Sequence, residues 1–156
     1  MKKVIITRKI QIYPIGDNST EVWSTLREWE DLVFRAANYA STHMYFQDRQ
    51  KEFNYLNGNY DKLAEANKEF REMLECSEAS TTYRLLSEKL KGTVPSYIFC
   101  SLNSVIKQTF DKEKKDYFTG KRSLRSYRKG MPIPFYSKAI RNIVEAEKNY
   151  EFTMFG

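Results

Sequence analysis

The chain has 156 residues, of which 15% are aromatic, and its formal net charge is +6. This length supports one domain with a hydrophobic core, or one domain that carries an insertion. Because it has only two cysteines, we expect a cytoplasmic protein without a disulfide framework or a metal site. Because it has no apolar stretch of the roughly 20 residues that span a bilayer, we expect no membrane contact. We also expect no small-molecule cofactor.

The first predicted elements are a strand and a long helix. Residues 4–13 are rich in β-branched side chains and are followed by Pro14 and Gly16, which predicts a strand. Asn18 and Glu21 have the spacing of a capping box, and apolar residues then recur every three or four positions. This pattern predicts an amphipathic helix that runs to about residue 56.

Three further helices are predicted downstream, at residues 60–75, at 80–90 and from Pro95 to about 118. Residues 92–106 contain no charged side chain. We therefore expect them to form the most buried helical segment, with Cys100 inside it as a small hydrophobe.

After residue 120 the pattern becomes that of an extended chain. Residues 123–129 alternate, which predicts Arg125, Tyr127 and Lys129 on one face of a strand-like element. Pro132 and Pro134 then favour an edge strand or a polyproline-like path.

The C-terminal residues complete the predicted fold. Residues 137–144 fit either a short helix or a strand, and residues 150–156 predict a last strand. The element order indicates an α+β fold in which a bundle of long antiparallel helices, residues 18–118, is inserted between strands of a small antiparallel sheet or barrel. The sheet or barrel module would comprise residues 1–17 and 119–156.

Positive charge is concentrated near the end of the chain. Residues 107–141 contain eleven lysines and arginines and three acidic residues, whereas residues 18–106 carry an excess of three negative charges. Clustered cations of this kind favour a polyanion-binding surface, because they release counterions from phosphates; the alternative is a run that is merely solvated. The predicted phosphate contacts are Lys121, Arg122, Arg125, Arg128 and Lys129, with Tyr127 as a base-stacking candidate and Arg8 and Lys9 as auxiliary contacts.

Signals of catalysis are weak. The single histidine, His43, lies among Met44, Tyr45 and Phe46 on the first helix, where a packed histidine is the favoured interpretation. Acidic residues at 65, 69 and 72 alternate with basic ones in the manner of helix-surface ion pairs. We therefore predict that this chain is not an enzyme.

The order of these motifs resembles a known family. Residues 124–135, Leu-Arg-Ser-Tyr-Arg-Lys-Gly-Met-Pro-Ile-Pro-Phe, follow a helix at 97–118 and precede a strand at 150–156. This arrangement is similar to the N-terminal, wedge and recognition-lobe portion of the transposon-encoded TnpB-like nucleases and of the compact type V CRISPR effectors. The likeness extends over essentially the whole chain.

The resemblance implies a wedge barrel split by a helical lobe, which together hold guide RNA and the guide–target duplex through backbone shape. It implies no catalytic residue, because the catalytic carboxylates of that family lie further downstream. Two alternatives stay open. One is a helical protein-interaction or self-associating module of a mobile element or phage. The other is a DNA-binding regulator, although the sequence has no recognisable helix-turn-helix.

Overall fold

A computed structural model describes residues 11–56, 77–147 and 149–154. Within them lie three helices, α1 (Ser19–Leu56), α2 (Glu78–Leu90) and α3 (Ser96–Phe118), then a 3₁₀ turn (Ser137–Ala139) and two strands, β1 (Ile140–Ala146) and β2 (Asn149–Met154). The strands pair antiparallel. The α+β class predicted from the sequence is confirmed.

The helix boundaries follow local signals in the sequence. The carbonyl of Asn18 accepts the backbone N–H of Val22 in the first turn of α1. The Ser77 hydroxyl accepts the backbone N–H of Ser80 at the start of α2, which is a side-chain N-cap. Gly120 follows α3 with a φ of 70°, a left-handed conformation that glycine adopts without steric cost and that ends the helix.

The core is formed by one face of each helix. Apolar residues at three- and four-residue spacing on α1, among them Val33, Ala40 and Met44, are fully buried. They contact the buried face of α3, which includes Leu102, Ile106 and Phe110. The uncharged stretch 92–106 therefore does supply much of the core, as predicted.

Contacts between α1 and α2 fix their relative direction. Gln47 contacts Thr81, His43 contacts Thr82, and the Trp29 indole donates to the carbonyl of Thr93 at 3.1 Å. As the residue number on α1 falls from 47 to 29, the residue number of its contact rises from 81 to 93, so α2 runs antiparallel to α1.

Some predicted elements lie outside the described residues. These are the helix at 60–75 and most of the strand at 4–13, of which residues 11–13 are described and have no regular secondary structure. The predicted last strand is present as β2, and the ambiguous residues 137–144 divide between the 3₁₀ turn and β1.

Candidate nucleic-acid interface

The predicted phosphate-binding residues lie in a segment without regular secondary structure that crosses the surface of the helical core. We call residues 121–129 the basic segment. Leu124 and Tyr127 pack against the core, followed by Met131 and Ile133, so the segment is attached along its length to the helices. Lys121, Arg122, Arg125, Arg128 and Lys129 are exposed.

The spacing of the inward residues corrects one prediction. Leu124 and Tyr127 are partly buried against the helices, whereas Arg125 and Lys129 are exposed. In a strand, residues two positions apart share a face, so Tyr127 would be as exposed as Arg125 and Lys129. The prediction that Arg125, Tyr127 and Lys129 share one face was therefore wrong.

Asn38 on α1 fixes the middle of the segment. Its side-chain Oδ1 accepts the backbone N–H of Tyr127 at 2.8 Å, and its Nδ2 donates to the Tyr127 carbonyl at 2.9 Å. One amide side chain thus satisfies both backbone groups of Tyr127, as a neighbouring strand would do. Nδ2 also donates to the carbonyl of Phe34, which orients the amide.

The Tyr127 ring packs against the helical core. Burial raises the pKa of its hydroxyl above the ordinary value, and a hydrogen bond with Thr109 of α3 offsets part of this rise. Its role as a base-stacking ring stays a prediction, and the packing leaves only part of the ring accessible to a ligand.

Glu113 of α3 is the centre of a four-residue cluster. Arg122 Nη1 donates to its Oε1 at 2.6 Å, Arg125 Nε donates to Oε2 at 3.0 Å, and Arg125 Nη2 adds a second bond to Oε1. The Tyr117 hydroxyl donates to the same carboxylate. The Glu113 side chain is only 12% exposed, whereas the Arg122 and Arg125 side chains are about half exposed.

The charges of this cluster stabilise each other. The hydrogen bond from Arg125, followed by that from Tyr117, lowers the pKa of Glu113 to about 2. Burial, followed by the bond to Glu113, raises the pKa of Tyr117 to about 12. Glu113 is therefore ionised at neutral pH, and the two guanidiniums over one carboxylate leave a net positive charge at the surface.

The other cations of the segment are held less firmly. Lys129 lies 3.5 Å from Asp31 of α1. Lys121 and Arg128 form no ion pair with any residue that the structure describes. Arg8 and Lys9 lie outside the described residues.

Two further cations, Lys112 and Lys115, were not among the predicted contacts. Both are exposed on α3, three residues apart and therefore on neighbouring positions of one helix face. They belong to the same charge excess at 107–141. Lys114, in contrast, pairs with Asp48 of α1.

The neighbouring aromatic residues at the end of α3 are already engaged. Phe118 stacks on Tyr45, and the Arg49 guanidinium lies 4.4 Å from the centroid of the Phe118 ring.

His43 is half buried and its Nδ1 is 2.9 Å from the Thr82 hydroxyl; burial lowers its pKa. This packed environment agrees with the interpretation favoured from the sequence.

The described part of the chain contains no group of three or more histidine, cysteine, aspartate or glutamate side chains placed to hold a metal ion. None of the helices described there combines the length and the apolar character that crossing a membrane requires. No model of a protein family, no curated protein and no solved structure matches this chain.

Proposed function

We propose that the chain is a cytoplasmic nucleic-acid-binding module that grips the backbone of RNA or of an RNA–DNA duplex. The observation that supports this function is the attachment of the basic segment to the helices through its apolar side chains and Asn38, with its five cationic residues exposed. Cations on a fixed platform bind a phosphate backbone at a lower entropic cost than cations on a mobile tail.

The charge balance supports the same proposal. Three of the five cations of the segment contact two carboxylates, Glu113 and Asp31, so the segment keeps an excess of three positive charges. Each arginine guanidinium has five N–H donors, so Arg122 and Arg125 keep N–H groups that can donate to a phosphate oxygen while they are bound to Glu113.

The family resemblance gives the proposal its specific form. In a TnpB-like or type V CRISPR protein, a module of this kind holds guide RNA without cutting, and base pairing supplies the sequence specificity. We propose the same division of labour here, with no enzymatic role for this chain and no cofactor.

The test is purification without nuclease treatment. We expect a high ratio of absorbance at 260 to 280 nm that falls after nuclease digestion and a high-salt wash, and we expect the recovered nucleic acid to be RNA. Protein free of nucleic acid that also fails to bind an RNA duplex at low salt would refute the proposal.

One observation favours self-association as a second candidate function. Tyr39, Phe46 and Phe53 lie at intervals of seven on α1 and are exposed, with Phe46 at 64%. Because Tyr39 and Phe53 are equidistant from Phe46, an antiparallel pairing of two α1 helices would place Phe46 at a two-fold axis. A salt-independent dimer that Phe46→Glu dissociates would favour this candidate; a monomer in light scattering would exclude it.

A further inference from the structure

The acidic residue at the centre of the proposed interface has an unexpected position for a polyanion-binding surface. Glu113 lies beneath the guanidinium groups of Arg122 and Arg125, and its side chain is largely buried. A carboxylate next to phosphate-binding groups repels phosphate. Its presence here therefore needs a physical reason.

The geometry identifies Glu113 as a support for the two arginines. Its two oxygens accept three hydrogen bonds from two guanidiniums, and Tyr117 donates to the carboxylate from the same helix. Arg125 is held through both Nε and Nη2, which fixes the plane of its guanidinium. About half of each arginine side chain stays exposed to solvent.

We propose that Glu113 is a positioning residue of the nucleic-acid interface, which orders Arg122 and Arg125 so that their outward donors are preset for phosphate oxygens. This inference rests on the proposed function. Free arginine side chains lose rotamer freedom when they bind, and a pair already ordered in the unbound protein avoids most of that loss. The repulsion from Glu113 is weakened by the guanidiniums that lie between it and a phosphate, and by salt.

Asp31 provides a matched control with the same charge. It lies 3.5 Å from Lys129, whose side chain is 72% exposed, and it also pairs with Arg35. Asp31 therefore holds a cation of the segment by one long contact, without fixing a plane. Removing its charge should act on phosphate binding through electrostatics alone.

The experiment compares Glu113→Gln with Asp31→Asn in binding to an RNA duplex of about 20 base pairs at fixed salt. Both variants remove one negative charge. We expect Glu113→Gln to weaken binding about fivefold, the order expected when two long side chains must be ordered on binding. We expect Asp31→Asn to bind as tightly as the unaltered protein or up to about twofold more tightly.

A second measurement separates ordering from misfolding. In NMR spectra of the free protein, we expect the Nε–H of Arg125 to be resolved and slow to exchange, and to lose this protection in Glu113→Gln while the backbone amides of α3 keep their shifts. Tyr117→Phe, which removes one hydrogen bond to the carboxylate without changing charge, should lose about twofold in affinity.

The outcomes distinguish the two levels of the argument. If the unaltered protein binds the duplex but Glu113→Gln binds equally well or more tightly, the positioning role is wrong and the proposed function survives. Unchanged Arg125 protection in Glu113→Gln also overturns the positioning role. If the unaltered protein does not bind the duplex at low salt, both proposals fail together.

Discussion

The two ends of the basic segment use similar charges in different ways. Towards its start, Arg122 and Arg125 converge on a carboxylate that is 12% exposed and is also bonded by Tyr117. At its end, Lys129 reaches an aspartate that is 28% exposed, over 3.5 Å. The comparison shows that burial and the number of hydrogen bonds, more than charge, decide how strongly an ion pair orders a surface segment.

The first end therefore stabilises the fold and the second contributes little. Glu113 accepts four hydrogen bonds in a nearly buried site, so the loss of its partners is expected to reduce the free energy of unfolding. An exposed lysine can exchange its contact with an aspartate for water with almost no change in free energy. The following predictions test this difference.

The largest effect is expected for Glu113→Ala. It removes the common partner of Arg122, Arg125 and Tyr117, and we expect the free energy of unfolding at pH 7 to fall by about 2 kcal/mol, less than for a fully buried pair because both arginines are half exposed. Denaturant titration measures this loss. A change as small as that of Asp31→Ala, expected below about 0.5 kcal/mol, would mean that the two ends are equivalent.

The contribution of Glu113 should depend on pH. Since its pKa falls from 4.5 to about 2 on folding, the stabilisation is fully present above about pH 4.5 and is lost as the pH falls towards 2. The stability difference between the unaltered protein and Glu113→Gln should follow the same course. A difference that stays constant from pH 7 to pH 2.5 in urea titrations contradicts the assignment.

A smaller loss is expected for Asn38→Ala. Without the amide, the N–H and carbonyl of Tyr127 lose their partner on α1, and we expect a cost of about 1 to 2 kcal/mol. Gln50→Ala, at an exposed position of the same helix, is the control and should change stability by less than about 0.5 kcal/mol. Hydrogen exchange at the Tyr127 amide should accelerate in Asn38→Ala only.

The smallest effect is expected for Lys129→Gln. Its single contact with Asp31 is long and exposed, so stability should change by less than about 0.5 kcal/mol. Thermal melts at low and high salt should coincide with those of the unaltered protein. A drop comparable to that of Asn38→Ala would show that this end of the segment is also an anchor.

Much of the helical architecture was predictable from local patterns. The apolar spacing on α1 and the uncharged stretch at 92–106 specified which faces form the core, because helical periodicity depends only on nearby residues. The end of α3 could be placed near Gly120 for the same reason.

The arrangement of the site was less predictable, although its cations were visible in the sequence. The contact between Asn38 and Tyr127 joins residues 89 positions apart, and the sequence carries no local signal for it. The grouping of Glu113 with Arg125 likewise depends on how the chain turns after α3. An alternating pattern suggested a strand, but packing on the helices leaves Tyr127 partly buried while Arg125 and Lys129 are exposed.

The most direct test of the proposed interface is the salt dependence of RNA duplex binding, measured for the unaltered protein and for the double variant Lys121→Gln/Arg128→Gln. These two cations have no acidic partner among the residues described, so the fold should tolerate the change, and Lys91→Gln, an exposed lysine after α2, is the control. We expect the slope of log affinity against log salt to become shallower by about 1.8 in the double variant, since each lost phosphate contact contributes about 0.9. An unchanged slope in the double variant would contradict the proposed interface.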